Sequence, residues 1–228
     1  MIHINLKTCS STQTYLKELI EKDPSSINKD ILVTTLMQTD GIGRSNNHWH
    51  YFKDAIALSC IIPAIGNKSL TPLKIGVLLS NFFEQKYGKK VYLKWPNDLM
   101  TKAKLKVGGI IAQLQADYVL VGVGINLLEP YTKTEMPFEY DALFKQENSF
   151  NIENFSKEIY QFLLENISQA FSPKDWMNLC CHLNQEVEIR DDFEVIRGKF
   201  VGISSCGEAL IEKNSKIIKV INGSLFLT

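Results

Sequence analysis

Apolar residues along the chain switch between two periods, and the switches mark the elements. Residues 2–7 alternate loosely and predict a short strand. In SSTQTYLKELIEK, Ser10, Ser11 and Thr12 are helix-capping types, and Leu16, Leu19 and Ile20 form a stripe, so a helix opens there. ILVTTLMQ, residues 31–38, is rich in β-branched side chains and predicts a buried strand. A polar, glycine-containing loop follows, TDGIGRSNNHW, and then a second strand, AIALSCII, at 55–62. SLTPLKIGVLLSNFFEQKYG predicts a helix capped by Thr71, with Pro72 in the first turn and Gly88 as the stop. VYLKW is a strand. Residues 106–115 and 117–127 predict a hairpin of buried strands around Ala116-Asp117. Residues 129–150 form a mixed, proline-containing loop. Ile152, Phe155, Ile159, Phe162, Leu163, Ile167 and Phe171 recur at steps of three and four, which predicts an amphipathic helix over 152–171. A short helix around Trp176 should end near His182.

The pattern changes after that. From Glu186 the chain contains only short strands, with turn signals at Asp191-Asp192, Cys206-Gly207 and Asn222-Gly223. This predicts a small β-barrel-like appendage, too small to fold securely alone.

Composition narrows the function. The chain has 228 residues, 45% hydrophobic, and Lys+Arg and Asp+Glu are both 25. A zero net charge argues against a nucleic acid as main partner. No apolar run is long enough for a signal peptide or a membrane helix, which points to the cytoplasm. The five cysteines, with only Cys180-Cys181 adjacent, lack zinc-type spacing and fit a reducing compartment. His48 and His50 could hold a metal on a strand, but no third ligand lies near them in sequence.

Three loops carry candidate chemistry. In the first, Gly41 and Gly43 bracket Ile42, and Arg44 follows. Arg44 is one of only three arginines, with Arg190 and Arg197, and the sole one before the β tail. A guanidinium in a glycine loop suits a carboxylate or phosphate, and a solvated surface arginine is the plain alternative. In the second, KWPNDLM, Pro96 forces Trp95 to be extended, Asn97 and Asp98 favour a turn, and Lys94 falls near Asp98. A rigid turn around a buried tryptophan is the plain alternative. In the third, Lys102, Lys104 and Lys106 precede Gly108-Gly109. Lys106 enters a core strand and can face a bound anion, although such lysine runs are commonly solvated. The dinucleotide and phosphate-loop glycine patterns are both missing.

In this order, SSTQTYL, QTDGIGRSNNHW, KWPNDLM, KVGGI and GVGINL resemble the catalytic domain of bacterial biotin protein ligases, and the tail resembles their SH3-like C-terminal domain. The resemblance implies an α+β fold with a mixed sheet related to class II aminoacyl-tRNA synthetases, a catalytic domain at 1–183 and a C-terminal domain at 184–228. It implies attack of biotin's carboxylate on the α-phosphate of ATP, with Mg²⁺, to give biotinyl-5′-AMP. The adenylate then passes to a lysine of a biotin carboxyl carrier domain, typically of acetyl-CoA carboxylase. By the same resemblance Lys106 and Arg44 are catalytic. Ser11, Thr12, Gln38, Gly41, Gly109 and Gly122 contact biotin. Arg44, Trp49, Lys94, Asn97, Asp98, Lys106 and Asn126 contact the nucleotide, with Asp98 or Asn97 a candidate neighbour of Mg²⁺.

Departures are present. Ile42 and Asn46 stand where the family commonly has arginine and glycine, a loss that Lys53 or the lysine run could offset. Asp98 to Lys106 is one residue longer than usual, so the lysine is assigned from Gly109, three residues downstream. The first motif starts about ten residues from Met1, which leaves no room for a winged-helix DNA-binding domain and implies a ligase without repressor activity. Homodimerisation through an exposed strand edge is open. A lipoate ligase or lipoyl/octanoyl transferase, and a non-catalytic biotin sensor, are the competing readings.

Overall fold

The computed structural model describes the whole chain except residues 45–46, 50–53, 65, 116–117, 129–139, 146–150 and 192. The turn at Ala116-Asp117, most of the loop at 129–150, the offset by Lys53, and the roles of Asn46, His50 and Asp192 lie outside the described residues.

A seven-stranded mixed sheet forms the main body. Its strands are β1 (Ile2–Leu6), β2 (Ile31–Thr35), β5 (Ala55–Pro63), β6 (Tyr92–Lys94), β7 (Asp98–Met100), β8 (Lys106–Leu114) and β9 (Tyr118–Asn126), in the order β1-β2-β5-β9-β8-β7-β6. Only β1 and β2 run parallel; the other neighbours are antiparallel. A small ribbon, β3 (Gly41–Ile42) with β4 (His48–Trp49), stands apart from this sheet. β8 and β9 pair as the predicted hairpin.

Helices cover the sheet. α1 (Thr12–Lys22) opens at Ser11, whose hydroxyl accepts the N–H of Gln13. It buries Leu16 and Ile20 against Ile31, Val33, Ile61 and Leu120. α2 (Thr71–Tyr87) and α3 (Ile152–Asn166) pack together over the larger core, where Phe82, Phe83, Tyr87 and Phe155 meet edge to face or stacked. The α2 helix ends at Gly88 in the left-handed conformation, φ 63°.

Several boundaries differ from the sequence pattern. β2 stops at Thr35, whose hydroxyl takes the N–H of Met37 and turns the chain, leaving Leu36 and Met37 exposed. Thr71 is already helical. The preceding 3₁₀ turn, Lys68–Leu70, is capped by Asn67 instead. α3 ends at Asn166, five residues early, because the Lys74 ammonium takes the carbonyls of Ile167 and Gln169. α4 (Pro173–Met177) also stops short of His182.

A five-stranded antiparallel sheet follows: β10 (Glu186–Arg190), β11 (Val195–Ile203), β12 (Ala209–Lys213), β13 (Lys216–Val220) and β14 (Ser224–Leu227), ordered β13-β12-β11-β10-β14. β11 is longer than the short strands expected and bulges between Phe200 and Gly202. His182 lies between the two sheets, fully buried against Trp176 and Phe200. Burial drives its pKa down to about 3, so the imidazole is neutral at physiological pH.

The β tail is bonded to the main body at several points. Trp95 Nε1 donates to the Gly207 carbonyl at 3.1 Å, and Lys104 Nζ donates to Gln185 Oε1 at 2.7 Å. Ser69 Oγ donates to the Cys206 carbonyl at 2.7 Å. The turn before β14 is tied to the main body as well, since Arg44 donates to Asn222 Oδ1 and the Gly223 carbonyl, and β14 lies beside the open face of the large sheet.

Candidate active site

A cavity of about 790 Å³ lies on that face, walled by α1, the β3–β4 ribbon, β5 to β9 and β14. It draws together nearly every candidate residue: Ser11, Thr12, Gln38, Arg44, Trp49, Lys94, Asn97, Asp98, Lys106, Gly109, Gly122 and Asn126. Gly41 differs. It is buried behind the wall, where a side chain would strike the backbone of Trp49 and sit 3.0 Å from Gln38 Nε2. The need for glycine there comes from the ribbon's own packing.

Strand β9 serves as a ruler along the floor. Gly122, Gly124 and Asn126 share one face, at the two-residue period of a strand, and span about 13 Å. Gly122 sits opposite Ser59 on β5; Gly124 sits opposite Gly109 on β8, which in turn faces Asp98 on β7. Glycine is required on this line because neighbours occupy the side-chain space. A Cβ on Gly122 would lie 2.8 Å from Gln13 Oε1, and one on Gly124 would lie 2.5 Å from the Trp49 ring.

At the Gly122 end the polar groups are neutral and interlocked. Gln38 Oε1 accepts from the Thr12 N–H at 2.8 Å and is 3.1 Å from the Thr12 hydroxyl. The Thr12 hydroxyl is also 2.9 Å from the Ser59 hydroxyl. This end can meet a neutral polar ring with paired donors and acceptors, and apolar Ile110, Ile111 and Val123 lie alongside.

In the middle the groups are charged. Asp98 holds two lysines, one on each oxygen: Lys106 Nζ at 2.6 Å on Oδ1 and Lys94 Nζ at 2.9 Å on Oδ2. Burial alone would raise the Asp98 pKa; Lys106 and then Lys94 outweigh it, and the carboxyl is held below its usual range. The lysine pair meets where it does because β6 and β7 form a tight hairpin with Lys94 opposite Asp98. The peptide between Trp95 and Pro96 is cis, and Trp95 is buried under this turn, so the plug and the charged site belong to one feature. Asn97 Nδ2 donates to the Ile110 carbonyl at 2.7 Å and fixes the turn to β8.

Arg44 completes the charged group. Its Nη1 lies 3.5 Å from Asn97 Oδ1 and 3.3 Å from the Gly223 carbonyl, and its Nη2 donates to Asn222 Oδ1. Burial lowers its pKa and Asp98 opposes that. At the far end Asn126 is buried, with Nδ2 donating to the Asp141 carbonyl at 3.1 Å.

Asp98, considered as a neighbour of Mg²⁺, has an ammonium on each of its carboxylate oxygens. Among the described residues no cluster of three His, Cys, Asp or Glu is arranged to hold a metal. His48 instead faces Asp40, with Nδ1 3.4 Å from Oδ1.

The profile of the biotin/lipoate A/B protein ligase family matches residues 6–126. The chain belongs to that family. A second profile, the biotin protein ligase C terminal domain, matches residues 182–227. The bifunctional ligase/repressor BirA of Bacillus subtilis is 26% identical over 239 residues, covering 96% of this chain and 71% of that protein. A biotin protein ligase from Aquifex aeolicus, solved with biotin and ATP, is 25% identical, with TM-score 0.72 and 99% of both chains covered. A Helicobacter pylori biotin acetyl coenzyme A carboxylase synthetase shares the fold at 22% identity and TM-score 0.71, covering 95% of this chain and 98% of that one. The large mixed sheet with a C-terminal antiparallel sheet is the fold of these ligase neighbours.

Sequence reasoning missed several lining residues of this ligase-family site. Ser59 is fully buried in an otherwise apolar strand, and that lone hydroxyl was the available signal. Gln13 and Gly124 lie inside the family-like motifs, but their residue types alone assign them no role. Ser224–Leu227 of β14 line the cavity from the C-terminal sheet, and no local pattern announces that.

Proposed function

We propose that the chain is a biotin protein ligase. It activates biotin with MgATP, Mg²⁺ arriving on the nucleotide, and transfers the acyl group to a lysine of a biotin carboxyl carrier domain of acetyl-CoA carboxylase. The observation that carries this reading is the order of chemistry along β9: neutral polar groups at Gly122, cations at Gly124 and a buried amide at Asn126. That order matches a neutral ring, a carboxylate meeting a phosphate, and a base.

The mechanism follows from charge. Biotin's carboxylate must approach the α-phosphate, and two anions at 4 Å repel by about 4 kcal/mol at an effective dielectric of 20. Lys106 and Arg44 supply fixed positive charge where the two meet. A carboxylate oxygen bonds to phosphorus, the bond to the β-phosphate breaks, and pyrophosphate leaves with Mg²⁺. The carrier's ε-amine then adds to the acyl carbon, loses its proton, and AMP departs. Ser11, Thr12, Gln38 and Ser59 orient the ureido ring, Gly109 and Gly122 let the backbone approach it, and Asn126 reads adenine. Trp49, seated on Gly124, covers the anhydride from water. Residues 1–183 form the catalytic unit and 184–228 the C-terminal one. The equal numbers of acidic and basic residues support a ligase that does not bind DNA. Among the described residues no helix is long and apolar enough to cross a membrane.

The test is direct. Purified protein with ATP, Mg²⁺ and biotin should label a biotin carrier domain, read by streptavidin. Transfer of lipoate in place of biotin would shift the assignment to the lipoate branch of the family. Biotin binding with no transfer would make the protein a sensor.

A further inference from the structure

Among the described residues four cations line the cavity; Lys104 is turned to Gln185 Oε1, and the other three are held in two different ways. Lys94 and Lys106 each lie on the Asp98 carboxylate. Arg44 is held by three neutral oxygens, from Asn97, Asn222 and Gly223. Among the described residues no carboxylate lies within ion-pair distance of its guanidinium. A neutral acceptor fixes the direction of the planar fork while leaving its charge available, whereas a carboxylate would satisfy both.

Two of the three oxygens belong to the turn between β13 and β14, far from Arg44 in sequence. That turn is itself constrained. Gly223 has φ 133°, and a Cβ there would meet Ile189 Cγ2 at 2.6 Å. β14 then pairs along β10 and lines the cavity. The Arg44 side chain extends from a glycine loop outside the large sheet, closed locally by the Gly43 N–H on the Asn47 carbonyl at 2.6 Å. Among the described residues, two of the three acceptors of its guanidinium come from the turn before β14 in the C-terminal sheet.

We propose that Asn222 is a positioning residue that presents Arg44 to the phosphates of the nucleotide. The C-terminal sheet thereby completes the anion-binding half of the cavity. This deepens the ligase reading above and rests on it.

The test uses the full chain and α,β-methylene-ATP, which cannot be cleaved at the reacting bond, titrated in the presence of biotin. Asn222→Ala should weaken the analogue about tenfold, the scale of one hydrogen bond to a charged group. Biotin affinity without nucleotide should stay within about twofold. In an Arg44→Ala background, adding Asn222→Ala should change analogue binding by less than about twofold, because the residue it acts through is gone. Unchanged analogue affinity in Asn222→Ala would overturn the proposal. So would an equal tenfold loss with Arg44 absent, or a matching loss of biotin affinity, which would mark a general structural role. If the wild-type chain binds neither biotin nor the analogue, the ligase reading itself fails.

Discussion

Lys106→Ala will lower biotinyl-adenylate formation by about a hundred- to a thousandfold, the range seen when one preorganised charge-stabilising group is removed from an active site. The expectation rests on position. Lys106 opens β8, its ammonium lies 2.6 Å from Asp98 Oδ1, and its side chain is 38% exposed, so it faces the cavity and not the core. The fold should survive, because the β8–β9 pairing runs from Gly108 onward and does not use the lysine head group. Trapping of labelled adenylate, with circular dichroism as the control, checks both halves. Lys104→Ala should cost far less, since Lys104 Nζ is turned to Gln185. A near-normal rate from Lys106→Ala would remove the lysine from the mechanism.

Asp98→Ala should be damaging in stability as well as activity. It strips the shared anion from two lysines and leaves like charges close together. Breaking a buried pair costs about 3–5 kcal/mol, and the partial exposure of Lys106 places this case near the lower end. Activity should fall with it, because Lys106 loses the partner that fixes its direction. Asp98→Asn separates charge from shape through pH. The folded carboxyl titrates below its ordinary value, so its stabilisation is complete above the unfolded pKa, about 4, and is lost as pH falls below that. Melting temperature followed from pH 6 to 2.5 should therefore drop more in the wild type than in Asp98→Asn. Equal acid sensitivity would mean that the ion triad does not contribute to stability.

Local pattern alone makes much of the fold legible. The pairing of β8 with β9 follows from two neighbouring apolar runs, and α1 from its serine cap. The proximity of Lys94 to Asp98 follows from a tight turn after Pro96. Boundaries are less legible where a distant group decides them: Lys74, on another helix, sets the end of α3, and Asn67 sets the start of the turn before α2. The site is legible as motifs but not as an arrangement. The sequence shows Gly122, Gly124 and Asn126 two apart, yet only strand pairing reveals that Ser59 and Asp98 stand beside them. Gly41 reads as a biotin contact through the family resemblance; in the structure a side chain there would meet the chain's own Trp49. Asn222 reads only as a turn residue, since its contact with Arg44 spans most of the chain.

The central claim is that one cavity brings a carboxylate and a triphosphate together between Lys106 and Arg44. Exchange of labelled pyrophosphate into ATP, with no carrier protein present, measures that step alone. Exchange should require biotin, saturate with it, and fall to near background in Lys106→Ala. Exchange that ignores biotin, or none at all from folded wild-type protein supplied with biotin and MgATP, would contradict the account.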